Sequence, residues 1–507
     1  MKKRILCILL ALCMLVPAMV ACGKDNSPEG ETTASDGSGN TTTADTTSKY
    51  EVYDDLGEYD LDGEVIEVLT TGYAWNAGEL WVEKYTGDII NDAIFTRNSK
   101  VESRFNCEIK EVNVSAEGNL YEVGNHVGTS IQAGTHDYDL ALPATYTGTI
   151  FAARGYWTDL TKSNTVDLSK DYWSQLYNEQ LSIGGSQYMA SGAVSLSYYR
   201  LTYVTLVNDG VLSGHSDAPN LIDVVNEKKW TIEYQKELTA KYYVDTVGNG
   251  KDENDIFGFI CPVYNGVNPY LSSCEVSMLS KDSGGYYTLA LDNERLIGVV
   301  DQVIGLLSAD STWVVQGHSP TAFDDAAEMF AAGQGLMMTN ILLSVENSNV
   351  REMEGTYTIL PIPKYTEAQE TYYSFVHDSF TSMAIPSSAP AWDVDTYGAI
   401  MEGLCSESYR TVTPAYYEKA LKGKYLDNPE SLDMLEMITS NVYIDAGEAY
   451  TKNCGDLLNP YRTVVEDAVL RGKGNLIAST FNTEFKQQIN DNLLRLNAAI
   501  KQLQMLT

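Results

Sequence analysis

What this 507-residue chain has little of narrows it first. Basic side chains are scarce: 34 lysines and arginines stand against 69 acidic residues, for a formal net charge of −35. A surface of that sign repels nucleic acid and acidic lipid, so a broad polyanion partner is excluded. Histidine occurs only five times, and no CxxC spacing exists among the eight cysteines. The side chains of a zinc site are therefore lacking, and neither a metal nor a cofactor is expected. Three cysteines fall within the first 22 residues. The other five, Cys107, Cys261, Cys274, Cys405 and Cys454, are odd in number, so at least one thiol stays unpaired. There is no G-x-S-x-G elbow and no H-E-x-x-H pair, and no repeat of the kind an adhesive array shows. Beyond the N-terminus no apolar run reaches the roughly 18 residues of a membrane span.

What is there begins with an address. Lys2, Lys3 and Arg4 precede an apolar stretch from Ile5 to Val20, and small Ala21 stands just before Cys22. This is the pattern of a secretory signal over residues 1–21. The cysteine at the cut resembles the lipobox of bacterial lipoproteins, with Met19 where leucine is more usual; Cys22 is then the lipidation site. Residues 22–49 are rich in Gly, Ser, Thr and Asp and form a solvated tether. Roughly 460 residues remain, more than one core commonly holds, so two lobes are expected.

Within that body, strand and helix patterns alternate. EVIEVLTTG (64–72) alternates apolar residues and ends in turn chemistry. In GDIINDAIFTRNSKVESRF (87–105), Ile90, Ile94, Val101 and Phe105 share one helical face. DYDLALP (137–143) reads as a short buried strand. Phe485, Ile489, Leu493, Leu496, Ile500 and Leu503 form an amphipathic stripe that packs on the protein itself. Strands separated by helices give an α/β fold with mainly parallel pairing, whose ligands collect beyond the carboxyl ends of strands.

Several runs, in this order, resemble extracellular solute-binding proteins of ABC importers, the sugar-binding branch in particular. They are AGTHDYDLALPATYTGTIFAARGYWTDLT (133–161), DYWSQLYNEQLSIGGSQYMASG (171–192), VNEKKWTIEYQKELTA (225–240), MFAAGQGLMMTN (329–340) and YTILPIPKY (357–365). The resemblance covers most of residues 60–500. It implies an α/β, two-lobed periplasmic-binding-protein-like fold, with hinge crossings near 196–202, 336–342 and 380–388. The first lobe then takes 50–197 plus 340–382, and the second 198–339 plus 383–507. It also implies a monomer without enzymatic activity, held on the outer face of the cell membrane by Cys22. Such a receptor closes on a small-molecule ligand, expected to be an oligosaccharide, and delivers it to ABC permease subunits.

The candidate ligand-binding residues are Trp75, Tyr146, Tyr198, Arg200, Tyr264, Asn268, Asn340 and Asp378. Trp75, Tyr146 and Tyr264 follow strand ends, and Tyr198 and Arg200 sit at the first crossing. Aromatic faces stack on the C–H faces of pyranose rings, while Asn, Asp and Arg hydrogen-bond hydroxyls. Trp157, Trp173 and Trp230 are assigned to packing. The same aromatic and acidic mixture makes a cage for ammonium, so a polyamine or peptide is the alternative ligand. DTVGNGKDENDIFG (245–258) approaches a calcium loop, but Val247 and Ile256 occupy ligand positions, which favours a solvated acidic turn. A secreted glycoside hydrolase, which needs two carboxylates, is the rival class. No catalytic residue is assigned, since contiguous His377-Asp378-Ser379 is not a spatial triad.

Overall fold

A computed structural model describes residues 48–506, apart from 115–117, 418–420 and 422–429. The signal, Cys22 and most of the tether therefore lie outside the described residues. From residue 47 onward the chain forms one compact unit.

The first sheet is built from β1 (Glu64–Thr70), β2 (Cys107–Asn113) and β3 (Leu140–Ala141), all parallel with β1 in the middle. Ile66, Val68 and Leu69 of β1 are fully buried, as a central strand requires. The helix Ile89–Phe105 starts where the Asp88 side chain accepts the amides of Ile90 and Asn91, and ends at left-handed Asn106. Its buried face carries Ile90, Ile94, Val101 and Phe105, as the spacing predicts. Each such side chain contributes about 1.5–3 kcal/mol on leaving water.

The second sheet has β4 (Tyr203–Asn208), β5 (Phe257–Pro262), β8 (Thr312–Val315), β9 (Gly335–Ile341) and β10 (Tyr357–Leu360), in the order β10-β4-β9-β5-β8. β9, β5 and β8 run parallel, and β10, β4 and β9 antiparallel. A hairpin of β6 (Leu279–Lys281) and β7 (Tyr287–Leu289) stands apart. β11 (Ser374–Phe375) pairs with β12 (Val442–Tyr443). The two sheets make two α/β lobes.

Strand pairing divides the chain differently from the expected boundaries. β9 and β10 both hydrogen-bond β4, so residues 336–342 cross nowhere and 357–360 belong to the second lobe, not to the first. Residues 381–386, expected to be at or beyond the last crossing, instead line the edge of the first sheet, bridging Ala141, Ala144 and Trp157. The helix Val394–Pro414, expected in the second lobe, shares a core with Ile66, Val68 and Phe105. The crossings that the pairing supports are 196–202 and 376–381, which run side by side: Thr202 bridges Val376, and the His377 amide donates to Leu201 O at 3.0 Å.

The terminal helix Thr483–Leu506 buries Ile489, Leu493, Leu496 and Ile500, so its stripe packs on the body. Its last turn reaches the first lobe. Gln504 Nε2 donates to Gly184 O at 2.8 Å and Ser186 Oγ at 2.9 Å. A Cβ at Gly155, whose φ is +75°, would meet Leu503 Cδ2 at 2.6 Å. The close approach and the left-handed backbone both require glycine there. All five cysteines of the body are free, and Trp157, Trp173 and Trp230 are fully buried, each donating its indole N–H. Among the described residues, no helix is long and apolar enough to cross a membrane.

Candidate functional site

The floor between the lobes is made by the paired crossings. Glu79, from the loop after β1, reaches into both: it accepts the Ser197 amide at 2.9 Å and the Thr381 hydroxyl. Ser195 Oγ donates to Thr381 O at 2.7 Å, and the Thr381 amide to Ser197 Oγ at 3.0 Å. Burial pushes the Glu79 carboxyl up, opposed by these hydrogen bonds and by Arg200. Arg97, fully buried and lowered to about 10 by that burial, pins the Glu79 loop from behind through the carbonyls of Glu79 and Leu80.

Above the floor the walls converge. From the first lobe come Tyr73 and Trp75, past the end of β1, and Tyr146, in the first turn of the helix Thr145–Ala153. Trp75 stands edge-on to His377 at 5.1 Å and tilted against Phe323 of the second lobe at 6.0 Å. Asp378 occupies the centre. Its carbonyl accepts the Tyr146 amide at 3.1 Å, and its carboxylate lies 3.2 Å from His377 Nδ1. Burial pushes the Asp378 carboxyl up, but His377, Arg462 and Lys452 outweigh it and hold it below its ordinary value. Tyr73, flanked by Asp378 and Asp324, is pushed up to about 12, chiefly by burial.

The second lobe and the C-terminal helices supply the rest. Arg462 donates from Nε to Asn268 Oδ1 at 2.8 Å and lies over the Tyr264 ring at 5.3 Å. It feels Asp378 and Glu448 electrostatically, yet among the described residues it makes no ion pair within 4 Å. Glu448 is 1% exposed, with one oxygen lacking a hydrogen-bond partner; burial, joined by Asp445, pushes its carboxyl well up. Buried His377 Nε2 and Asn76 Oδ1 also lack partners among the described residues. Each unmatched buried polar atom costs about 1–3 kcal/mol.

Beside Trp75 the gap widens into a cavity of about 220 Å³, lined by Trp75, Phe323, Asp324, Asn340, Ser344 and Glu346 among others. That is below the ~300 Å³ at which drug-sized pockets begin, room for one ring or one small group.

Trp75 and Asn340 line that cavity, the Tyr146 amide meets Asp378, and Tyr264 and Asn268 meet Arg462. Asn340 shapes the cavity more than it presents chemistry, since its amide donates to Phe323 O and its oxygen accepts the Ile341 amide. Two candidates stand elsewhere. Tyr198 packs against Tyr177, Tyr199 and Phe380 beneath the floor. Arg200 is taken up by a bidentate pair with Glu346, at 2.8 and 2.9 Å. Sequence reasoning missed Arg462, Glu448, Phe323 and Asp324. The only available signal for Arg462 was a cation on the edge of the apolar face Leu458, Tyr461, Val465, in a chain short of cations.

The acidic turn at 245–258 closes on itself. The Asp245 carboxylate accepts the amides of Gly248, Asn249 and Gly250, and Asp255 accepts those of Thr246 and Asp252. Its oxygens thus face backbone N–H groups. Among the described residues, no group of three or more His, Cys, Asp or Glu is placed to hold a metal.

No family model and no curated protein matches the chain. Solved structures do. The sugar-binding protein MalE of Xanthomonas citri aligns at a TM-score of 0.57 and 13% identity, over 86% of this chain and 99% of that one. The GacH receptor of Streptomyces glaucescens, solved with acarbose, aligns at 0.51 and 13%, over 87% and 98%. UgpB of Mycobacterium tuberculosis, solved with glycerophosphocholine, aligns at 0.51 and 16%, over 87% and 99%. The chain therefore has the two-lobed, periplasmic-binding-protein-like α/β fold of MalE-type proteins.

Proposed function

We propose that this protein is an extracellular solute-binding receptor that closes on a polyhydroxylated ligand, a sugar or short oligosaccharide, and hands it to an ABC importer. Lipid at Cys22 would hold it, as a monomer, on the outer face of the cell membrane. One observation carries the reading: the cavity beside Trp75 joins aromatic faces from both lobes, Trp75 and Phe323, to the polar side chains of Asp324, Asn340 and Ser344. Nearby, Arg462 lies over the Tyr264 ring and within electrostatic reach of Asp378. Hydroxyls both donate and accept, so a polyol can satisfy both kinds of group at once. A ligand touching both lobes favours the closed form by its differential affinity.

The same arrangement speaks for binding over turnover. Asp378 and Glu448 both lie within electrostatic reach of the cation Arg462, unlike a pair left free for glycoside cleavage. The test is a melting screen of the purified chain against mono- and oligosaccharides, with product analysis and small-angle scattering on the hits. A receptor gains stability as RT ln(1 + [L]/Kd), becomes more compact and leaves the sugar intact. Released product would replace this reading with a hydrolase.

A further inference from the structure

We infer that the cavity beside Trp75 is a subsite for an ammonium group, so that the solute is a hydroxylated amine. The inference rests on the receptor reading above and adds the charge of its ligand. Three observations carry it. The walls combine two aromatic rings, Trp75 and Phe323, with two carboxylates, Asp324 and Glu346. Arg200 already matches Glu346, whereas Asp324 makes no ion pair among the described residues, so one negative charge is left over. Finally, Ser344 lines the same cavity, is 8% exposed, and its Oγ has no hydrogen-bond partner among the described residues. A buried hydroxyl can accept from an N–H, and a cation over an indole face is attracted by the ring quadrupole. Burial and neighbouring Asp325 push the Asp324 carboxyl up against the hydrogen bond from Asn347, a cost that a bound cation would relieve.

Tyr73 lies within electrostatic reach of both Asp324 and Asp378.

Titration calorimetry with glucosamine, N-acetylglucosamine, glucose and spermidine tests this, at mildly acidic pH where the free amine is charged. N-Acetylation keeps the substituent and removes the charge. Glucosamine should bind at least tenfold more tightly than the two neutral sugars. Asp324→Asn, on an exposed helical position, should erase that preference, bringing glucosamine to the affinity of the neutral sugars. Trp75→Leu should weaken glucosamine more than glucose. Spermidine binding as tightly as glucosamine would also support the ammonium pocket and would identify a polyamine as its source. Equal affinity for charged and neutral sugars, or a preference that survives Asp324→Asn, would overturn the inference while leaving the receptor reading intact. If none of the amines binds, the inference also fails; the receptor reading fails only if the wider saccharide screen is silent too.

Discussion

Two buried carboxylates, Glu79 and Glu448, stand a short way apart in function. Both are almost fully inside, and burial pushes both upward. Glu79 is matched: its oxygens take the Ser197 amide and the Thr381 hydroxyl, and Arg200 lies within electrostatic reach. One Glu448 oxygen takes a long contact from Ser272 Oγ at 3.5 Å, and its other oxygen has no partner among the described residues. The Glu79 clamp is thus finished chemistry, while Glu448 in the cleft wall is unfinished. A protein tolerates an unfinished wall when a ligand completes it.

Substitutions can break or sharpen that contrast, ranked by their expected effect on the unliganded fold. Glu79→Leu strips partners from both crossings and should cost about 4 kcal/mol in urea melts. A loss below ~1 kcal/mol would show that the floor does not depend on this clamp. Glu402 offers a second matched acid, bound by Tyr172 Oη, Trp173 Nε1 and the Asp167 amide. Burial raises it from 4.5 to about 7. The folded state then holds a proton that the unfolded chain releases, so this contribution is complete below pH 4.5 and is lost as pH rises through about 7. Glu402→Gln should flatten that decline, worth about 3 kcal/mol across the window. A slope unchanged by the substitution would assign the titration to another group.

Trp75→Ala sits between floor and wall. Trp75 is 7% exposed, but part of its contact is with Phe323 across the gap, so the unliganded protein should lose about 2 kcal/mol, less than a core tryptophan does. Ligand affinity should fall further still, and equal losses would place it in the core. Arg462→Met should cost about 1 kcal/mol in the melt, since it strips the donor from buried Asn268 Oδ1. It should nevertheless weaken sugar binding about 30-fold in calorimetry; a melt that drops as far as binding would make Arg462 structural.

Local pattern carried much of the fold. The alternation in 64–72, the stripe at 90, 94, 101 and 105, and the terminal stripe all lie where the sequence puts them, because burial on one face leaves a period in the chain. The assignment of segments to lobes did not follow, because it depends on which distant strands pair. Nothing in YTIL at 357–360 states that it runs antiparallel to β4. Aromatics after strand ends were legible at the site for the same topological reason that ligands gather there. Arg462, Glu448 and Asp324 come from helices remote in sequence, and their meaning lies in what they fail to touch.

The last turn of the terminal helix straddles the two halves, with Gln504 fastened to Gly184 and Leu503 seated on Gly155. If the lobes spread as proposed, that clasp has to unfasten first. A dye or purification handle fused to the final residues would then act as a wedge or a gauge.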